Sequence, residues 1–101
     1  MPSISMSKPM GFEWDSHNQE KNWFKHKVSY LECEQAFRNT PQRIYKDKLH
    51  SLSEPRYTLL SITDKKRYLF ITFTIRAKKV RVISARDQDK KERSLYEKDK
   101  K

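Results

Sequence analysis

The chain has 101 residues, room for a single domain. Its 23 Lys and Arg against 13 Asp and Glu give a formal charge of +10, which points to a polyanion or an acidic protein surface as partner, with plain solubility as the bland alternative. The only cysteine, Cys33, excludes an intrachain disulfide and a cysteine zinc cluster, and no apolar run reaches the ~18 residues of a membrane span.

Residues 1–10 carry no apolar stretch of the signal-peptide kind and read as a disordered leader, which with the lone cysteine implies a reducing, cytoplasmic setting. The domain is expected over 11–97, followed by a basic tail at 98–101. Residues 11–14 alternate apolar with polar and predict a short strand. Asp15 or Ser16 offers an N-cap for a first helix reaching about His26, with Trp23 and Phe24 as its buried stripe. Ser29 with Glu32 forms a capping box for a second helix, and Val28 and Cys33 occupy the positions of a hydrophobic staple. Tyr30, Cys33, Ala36 and Phe37 share one face of it, so Cys33 reads as a core residue and not as a reactive thiol. Asn39, tolerant of a left-handed conformation, and Pro41 end the helix.

Residues 43–46 predict an edge strand and residues 47–55 a polar loop. Three strand-like runs follow, at 57–62, 68–75 and 80–85, the second rich in aromatic and β-branched residues. Asp89 with Glu92 makes another capping box, opening a charged last helix. The fold class is therefore α+β, in the order strand, two helices, a run of strands, helix.

The last two strands are close enough to form a hairpin. A two-residue turn at Ala77-Lys78 pairs Arg76 with Lys79 and puts Ile71, Phe73, Ile75, Val80 and Val82 on a core face. Thr72, Thr74, Arg76, Lys79 and Arg81 then share the opposite face, with Phe70 and Ile83 further back. These cations either flank a solvated turn or converge on a phosphate. Like charges opposite one another are mildly destabilising, which a visiting anion would relieve. Arg86 falls at the far end of the last strand, where amides at the start of the last helix could add to an anion site.

The pattern resembles the BrnT family of bacterial type II toxins, a branch of the RelE-like ribonucleases, over about residues 12–97. The resemblance rests on Phe12-Glu13-Trp14-Asp15, Asn22 with Lys25-His26, Val28-Ser29-Tyr30, Ala36-Phe37, His50-Ser51, Glu54, and Arg56-Tyr57. Ile83-Ser84-Ala85-Arg86, Glu92-Arg93 and Tyr96-Glu97 extend it to the C-terminus. It implies a RelE-like fold with two N-terminal helices packed on a mostly antiparallel sheet and a short C-terminal helix. It also implies metal-independent RNA cleavage that arrests translation, with no cofactor, and neutralisation by a BrnA-like antitoxin of ribbon-helix-helix type. The antitoxin, and not this chain, would contact operator DNA, and no membrane is involved. The chain departs from the family at Lys27 and Ala77, where Gly is usual, and at Ile75 and Pro55, where acidic residues are frequent.

Cleavage of this kind uses the RNA 2′-OH as nucleophile, so the protein must move two protons and stabilise charge on phosphorus. Arginine suits the second task because its fork matches phosphate oxygens. Arg76 and Arg86 are the expected charge stabilisers, Arg81, Lys79, Arg56 and Lys48 the RNA-binding cations, and Glu54 and His50 the candidates for proton transfer. Glu54 could equally form an ion pair with Arg56, and His50 could be an ordinary loop histidine. His26 near a helix C-terminus reads as structural and His17 as exposed, and Tyr96 either stacks on a base or packs the last helix. The competing readings are a non-catalytic nucleic-acid-binding module and an antitoxin-binding domain without activity.

Overall fold

The computed structural model describes residues 11–47 and 54–98. The elements are β1 (Phe12–Glu13), α1 (Ser16–His26), α2 (Tyr30–Arg38), β2 (Arg43–Asp47), β3 (Arg56–Ile62), β4 (Tyr68–Arg76), β5 (Lys79–Asp87) and α3 (Lys90–Glu97). The strands form one sheet in the order β1-β5-β4-β3-β2, with β1 parallel to β5 and every other pair antiparallel. The α+β class, the element order and the hairpin are those expected from sequence. Among the described residues no helix is long and apolar enough to cross a membrane.

One face of the sheet carries Leu59, Leu69, Ile71, Phe73, Val80, Val82 and Ala85, buried against Val28, Cys33 and Ala36 of the α1–α2 side. Phe37 meets Phe73 edge-on with ring centroids 4.9 Å apart, so α2 is keyed to the middle of β4. The staple residues Val28 and Cys33 are both buried, and the Ser29–Glu32 capping box has both of its hydrogen bonds. Burial pushes the Cys33 thiol up to about 12, as befits an inert core residue. Among the described residues the opposite face is covered at one end, where Tyr96 of α3 packs with Tyr45, Leu60 and Ile62 against Tyr68 and Phe70. Tyr96 is thus a packing residue, its hydroxyl donating to Pro41 O at 2.6 Å.

Two expectations are corrected. Trp23 and Phe24 are not the buried stripe of α1; they are 48% and 72% exposed, and the buried residue is Asn22. The reason lies in the sheet edge. β1 pairs only with Val80 and Arg81, so β5 beyond them presents backbone groups to no strand. Asn18 Nδ2 donates to Val82 O at 3.4 Å, and Asn22 Oδ1 accepts from Ala85 N–H at 3.1 Å. Four residues apart, the two amides share a helix face, and satisfying the edge outweighs burying the rings. Asn39 is the second correction. It sits in extended conformation, φ −82° and ψ 153°, and ends α2 through its side chain, which donates to Ile62 O and Asp64 Oδ1.

Arg67, not singled out from sequence, ties the corner together. It donates to His26 O and Lys27 O at the end of α1, to Glu32 in the α2 capping box, and to both carboxylate oxygens of Asp87 at the end of β5.

Candidate nucleic-acid interface

The hairpin turn has φ +50° at Ala77 and +64° at Lys78 and pairs Arg76 with Lys79, the two-residue geometry expected. Strand alternation from that turn puts Thr74, Arg76, Lys79 and Arg81 on the face away from α1 and α2. Simple alternation would send Arg86 into the core. It does not go there, because the ladder slips: Phe73 pairs with Val82 but Thr72 with Ser84, leaving Ile83 as an extra residue. This bulge resets the parity of β5, so Ser84 and Arg86 rejoin the basic face while Ala85 is buried. The spacing of the inward residues, Val80, Val82 and then Ala85, is the trace the bulge leaves in the sequence.

A pocket of about 210 Å³ opens on this face, lined by Asn18, Glu54, Arg56, Thr74, Arg76, Arg81 and Ile83. Glu54 lies in the fork of Arg76, with Nε–Oε2 at 2.7 Å and Nη2–Oε1 at 2.6 Å. The sequence offered Arg56 as its partner; the bidentate partner in the structure is Arg76. Hydrogen bonding from Arg76 holds the Glu54 carboxyl below its ordinary value and raises the guanidinium in turn. Thr74 is fixed by donating to Pro55 O at 2.7 Å. Arg81 is clamped between Glu13 and Asp15, each at 2.9 Å, so the segment before α1 fixes one of the lining arginines. Arg76 and Arg81 therefore each meet a carboxylate of the chain itself, which removes part of the like-charge cost anticipated for the face. Lys79 is exposed beside the turn.

Arg86 is on the same face but not in the pocket. Its register partner is Phe70, six residues along β4 from Arg76, or about 20 Å at strand spacing. The Arg86 guanidinium carbon lies over the Phe70 ring, 4.0 Å from its centroid, and the group is forked by Glu92 with two contacts of 2.8 Å. Hydrogen bonding to Glu92 raises its pKa further. The first-turn amides of α3 offer less to an anion than expected, since Glu92 N–H already donates to Asp89 Oδ1. The structure thus brings together Glu54, Arg56, Arg76 and Arg81, with Lys79 at the turn, and sets Arg86 apart. His50 and Lys48 lie outside the described residues. Among the described residues no group of three or more His, Cys, Asp or Glu is placed to hold a metal ion.

A comparison with curated proteins by sequence finds no match. The fold is similar to the 1.1 Å crystal structure of the ribonuclease toxin BrnT of Brucella abortus, with TM-score 0.62 and 17% identity, covering 80% of this chain and 99% of that one. Residues 14–92 match the family model described as the ribonuclease toxin, BrnT, of a type II toxin-antitoxin system. That span takes in both N-terminal helices, the whole hairpin, and the start of α3, and the chain accordingly belongs to the BrnT family of ribonuclease toxins.

Proposed function

We propose that this toxin is a metal-independent endoribonuclease that arrests translation, with its cleavage centre in the pocket where Arg76 grips Glu54. The bidentate pair carries the reading: an ionised carboxylate and a guanidinium are held side by side at the mouth of an open, basic sheet face. In the reaction the RNA 2′-oxygen attacks the adjacent phosphorus, forming a 2′-O–P bond and breaking the bond to O5′. The products carry a 2′,3′-cyclic phosphate and a free 5′-OH.

Glu54 accepts the 2′-OH proton, for which it must be charged, and its lowered pKa keeps it so at neutral pH. Arg76 stabilises the developing phosphorane charge. A guanidinium has five N–H donors, and since Glu54 engages only Nε and Nη2, Nη1 remains for a phosphate oxygen. Arg81, Arg56 and Lys79 hold the backbone, and Arg86 takes a phosphate further along the strand instead of sharing the scissile one. His50 is the remaining sequence candidate for protonating O5′, and Lys48 for a further backbone contact. A BrnA-like antitoxin of ribbon-helix-helix type neutralises the toxin.

Incubating the purified chain with RNA in EDTA, free and on ribosomes, tests the reading. Cleavage that persists in EDTA is expected. No cleavage in either setting removes the enzymatic claim and leaves a nucleic-acid-binding or antitoxin-binding module.

A further inference from the structure

Arg93 is an arginine of this region that the proposed cleavage does not use. It stands on α3, exposed, with its guanidinium carbon 3.9 Å above the ring centroid of Tyr68. Arg67, Arg76, Arg81 and Arg86 are each forked or clamped by carboxylates, whereas Arg93 has no ion-pair partner among the described residues. Its platform is fixed from two other sides. The Tyr68 hydroxyl donates to Glu97 Oε2 at 2.9 Å, and Tyr96 meets the ring edge-on at 5.7 Å. A guanidinium therefore sits over the face of an immobilised ring, without an ion-pair partner among the described residues and exposed to solvent.

The placement repeats. Phe70 and Tyr68 are alternate residues of β4, on one face and roughly 7 Å apart, and each carries a guanidinium plate, Arg86 on the first and Arg93 on the second. From the pocket at Arg76 through Thr74 and Thr72 to Phe70 and Tyr68, the face runs about 26 Å along β4. That length suits several nucleotides of a single strand, since small single-strand sites hold about 4 or more. Lys90 and Lys91, both exposed at the start of α3, keep the far end basic.

We propose that Arg93, stacked on Tyr68, is a nucleobase platform that holds an unpaired base of single-stranded RNA several nucleotides from the cleavage pocket. The inference rests on the RNA-cleaving reading of the same face. A base would lie on the outer surface of the guanidinium, the stacking that RNA sites commonly use. Arg93 is a binding residue here, and it touches no reacting atom. Duplex RNA, with its bases already stacked, cannot supply the ligand.

The test uses binding and does not require turnover. A cleavage-resistant 2′-O-methyl RNA strand of about ten nucleotides is titrated with the full chain by fluorescence anisotropy, intact and with an abasic nucleotide at each position in turn. Arg93→Ala is expected to weaken binding of the intact strand by about tenfold, near the lower end for one lost stacked base. One abasic strand should bind wild type about tenfold more weakly and be insensitive to Arg93→Ala. Arg93→Lys, which keeps the charge and loses the plane, should recover only a small part. Equal weakening on every strand with full recovery by Lys means a purely electrostatic contact and overturns the platform, as does no effect of Arg93→Ala. If wild type binds the strand but never cleaves RNA, the catalytic reading fails while the platform is still decided. If wild type binds no strand, the RNA-facing reading and the platform fall together.

Discussion

Glu54 sits in the fork of Arg76, its two carboxylate oxygens 2.7 Å from Nε and 2.6 Å from Nη2. The pair is solvent-accessible on both sides, with about two-fifths of each side chain exposed. Exposed pairs contribute little to stability. On the proposed mechanism its geometry matters to chemistry more than to folding. Arg76→Ala should lower kcat/KM for RNA by about 100-fold or more, as removal of a charge-stabilising donor does, while Tm moves by no more than a few degrees. A large fall in Tm with proportionate loss of activity would mean that the pair is structural. Arg86→Ala, remote from the pocket, should act mainly on KM.

The pH dependence follows from the same contact. Arg76 holds the Glu54 carboxyl below its ordinary 4.5, so the base stays ionised throughout the neutral range. Activity should be flat on this limb down to about pH 5 and fall only below it. Weakening the hydrogen bond with Arg76→Lys should move that limb toward neutrality. An unchanged acid limb in this variant would take the base assignment away from Glu54.

Stability has its own acid limb. Burial alone would raise Glu32, but hydrogen bonds from Ser29 and Arg67 hold it below 4.5, and hydrogen bonding from Arg67 holds Asp87 below 3.8. A depressed folded pKa means that the charged form is favoured by folding. The contribution is thus complete above the ordinary values and is lost as pH falls through the folded ones. Tm should be level from about pH 8 to about pH 5 and drop below that. Arg67→Met should lower the plateau and flatten the drop, which thermal melts across that range would show.

The inverted helix α1 makes a comparison of neighbours informative. Asn22→Ala leaves Ala85 N–H buried without an acceptor and should cost about 1–3 kcal/mol. Trp23→Ala, at an exposed position, should cost about 1 kcal/mol or less. Urea denaturation of the two variants gives both values, and the reverse order would refute the sheet-edge account.

The turn offers a gain. Ala77 is held at φ +50°, where a Cβ is unfavourable, and Ala77→Gly should stabilise by roughly 0.5–1 kcal/mol, or a few degrees in Tm. Lys27, at φ +55° in the C-cap of α1, invites the same change. A drop in Tm for Ala77→Gly would mean that unfolded-chain entropy dominates at this turn.

These contrasts mark what local chemistry can announce. Both capping boxes, the staple of Val28 and Cys33, and the turn at Ala77-Lys78 depend on residues within a few positions of one another, and each was readable from spacing. The face on which Arg86 stands was not, because the bulge at Ile83 is set by how β5 must bury both Val82 and Ala85 against the helices. Nor was the facing of α1, whose Trp23 and Phe24 look like core residues until the short β1 leaves an edge for Asn18 and Asn22 to satisfy. Glu54 was chosen as a candidate for its charge, but its partner Arg76 lies 22 residues away, a pairing that only the β3–β4 geometry creates. Arg67 escaped notice for the same reason, since its side-chain partners come from three separate segments.

The most direct measurement is end-group analysis of RNA fragments made by the purified chain in EDTA, with wild type and Arg76→Ala in parallel. Wild type should leave 2′,3′-cyclic phosphate and 5′-OH ends and make no cut at a site carrying a single 2′-deoxynucleotide, and the variant should give at most trace product. Cleavage at the deoxy site, 5′-phosphate ends, or full activity of Arg76→Ala would contradict the proposed mechanism.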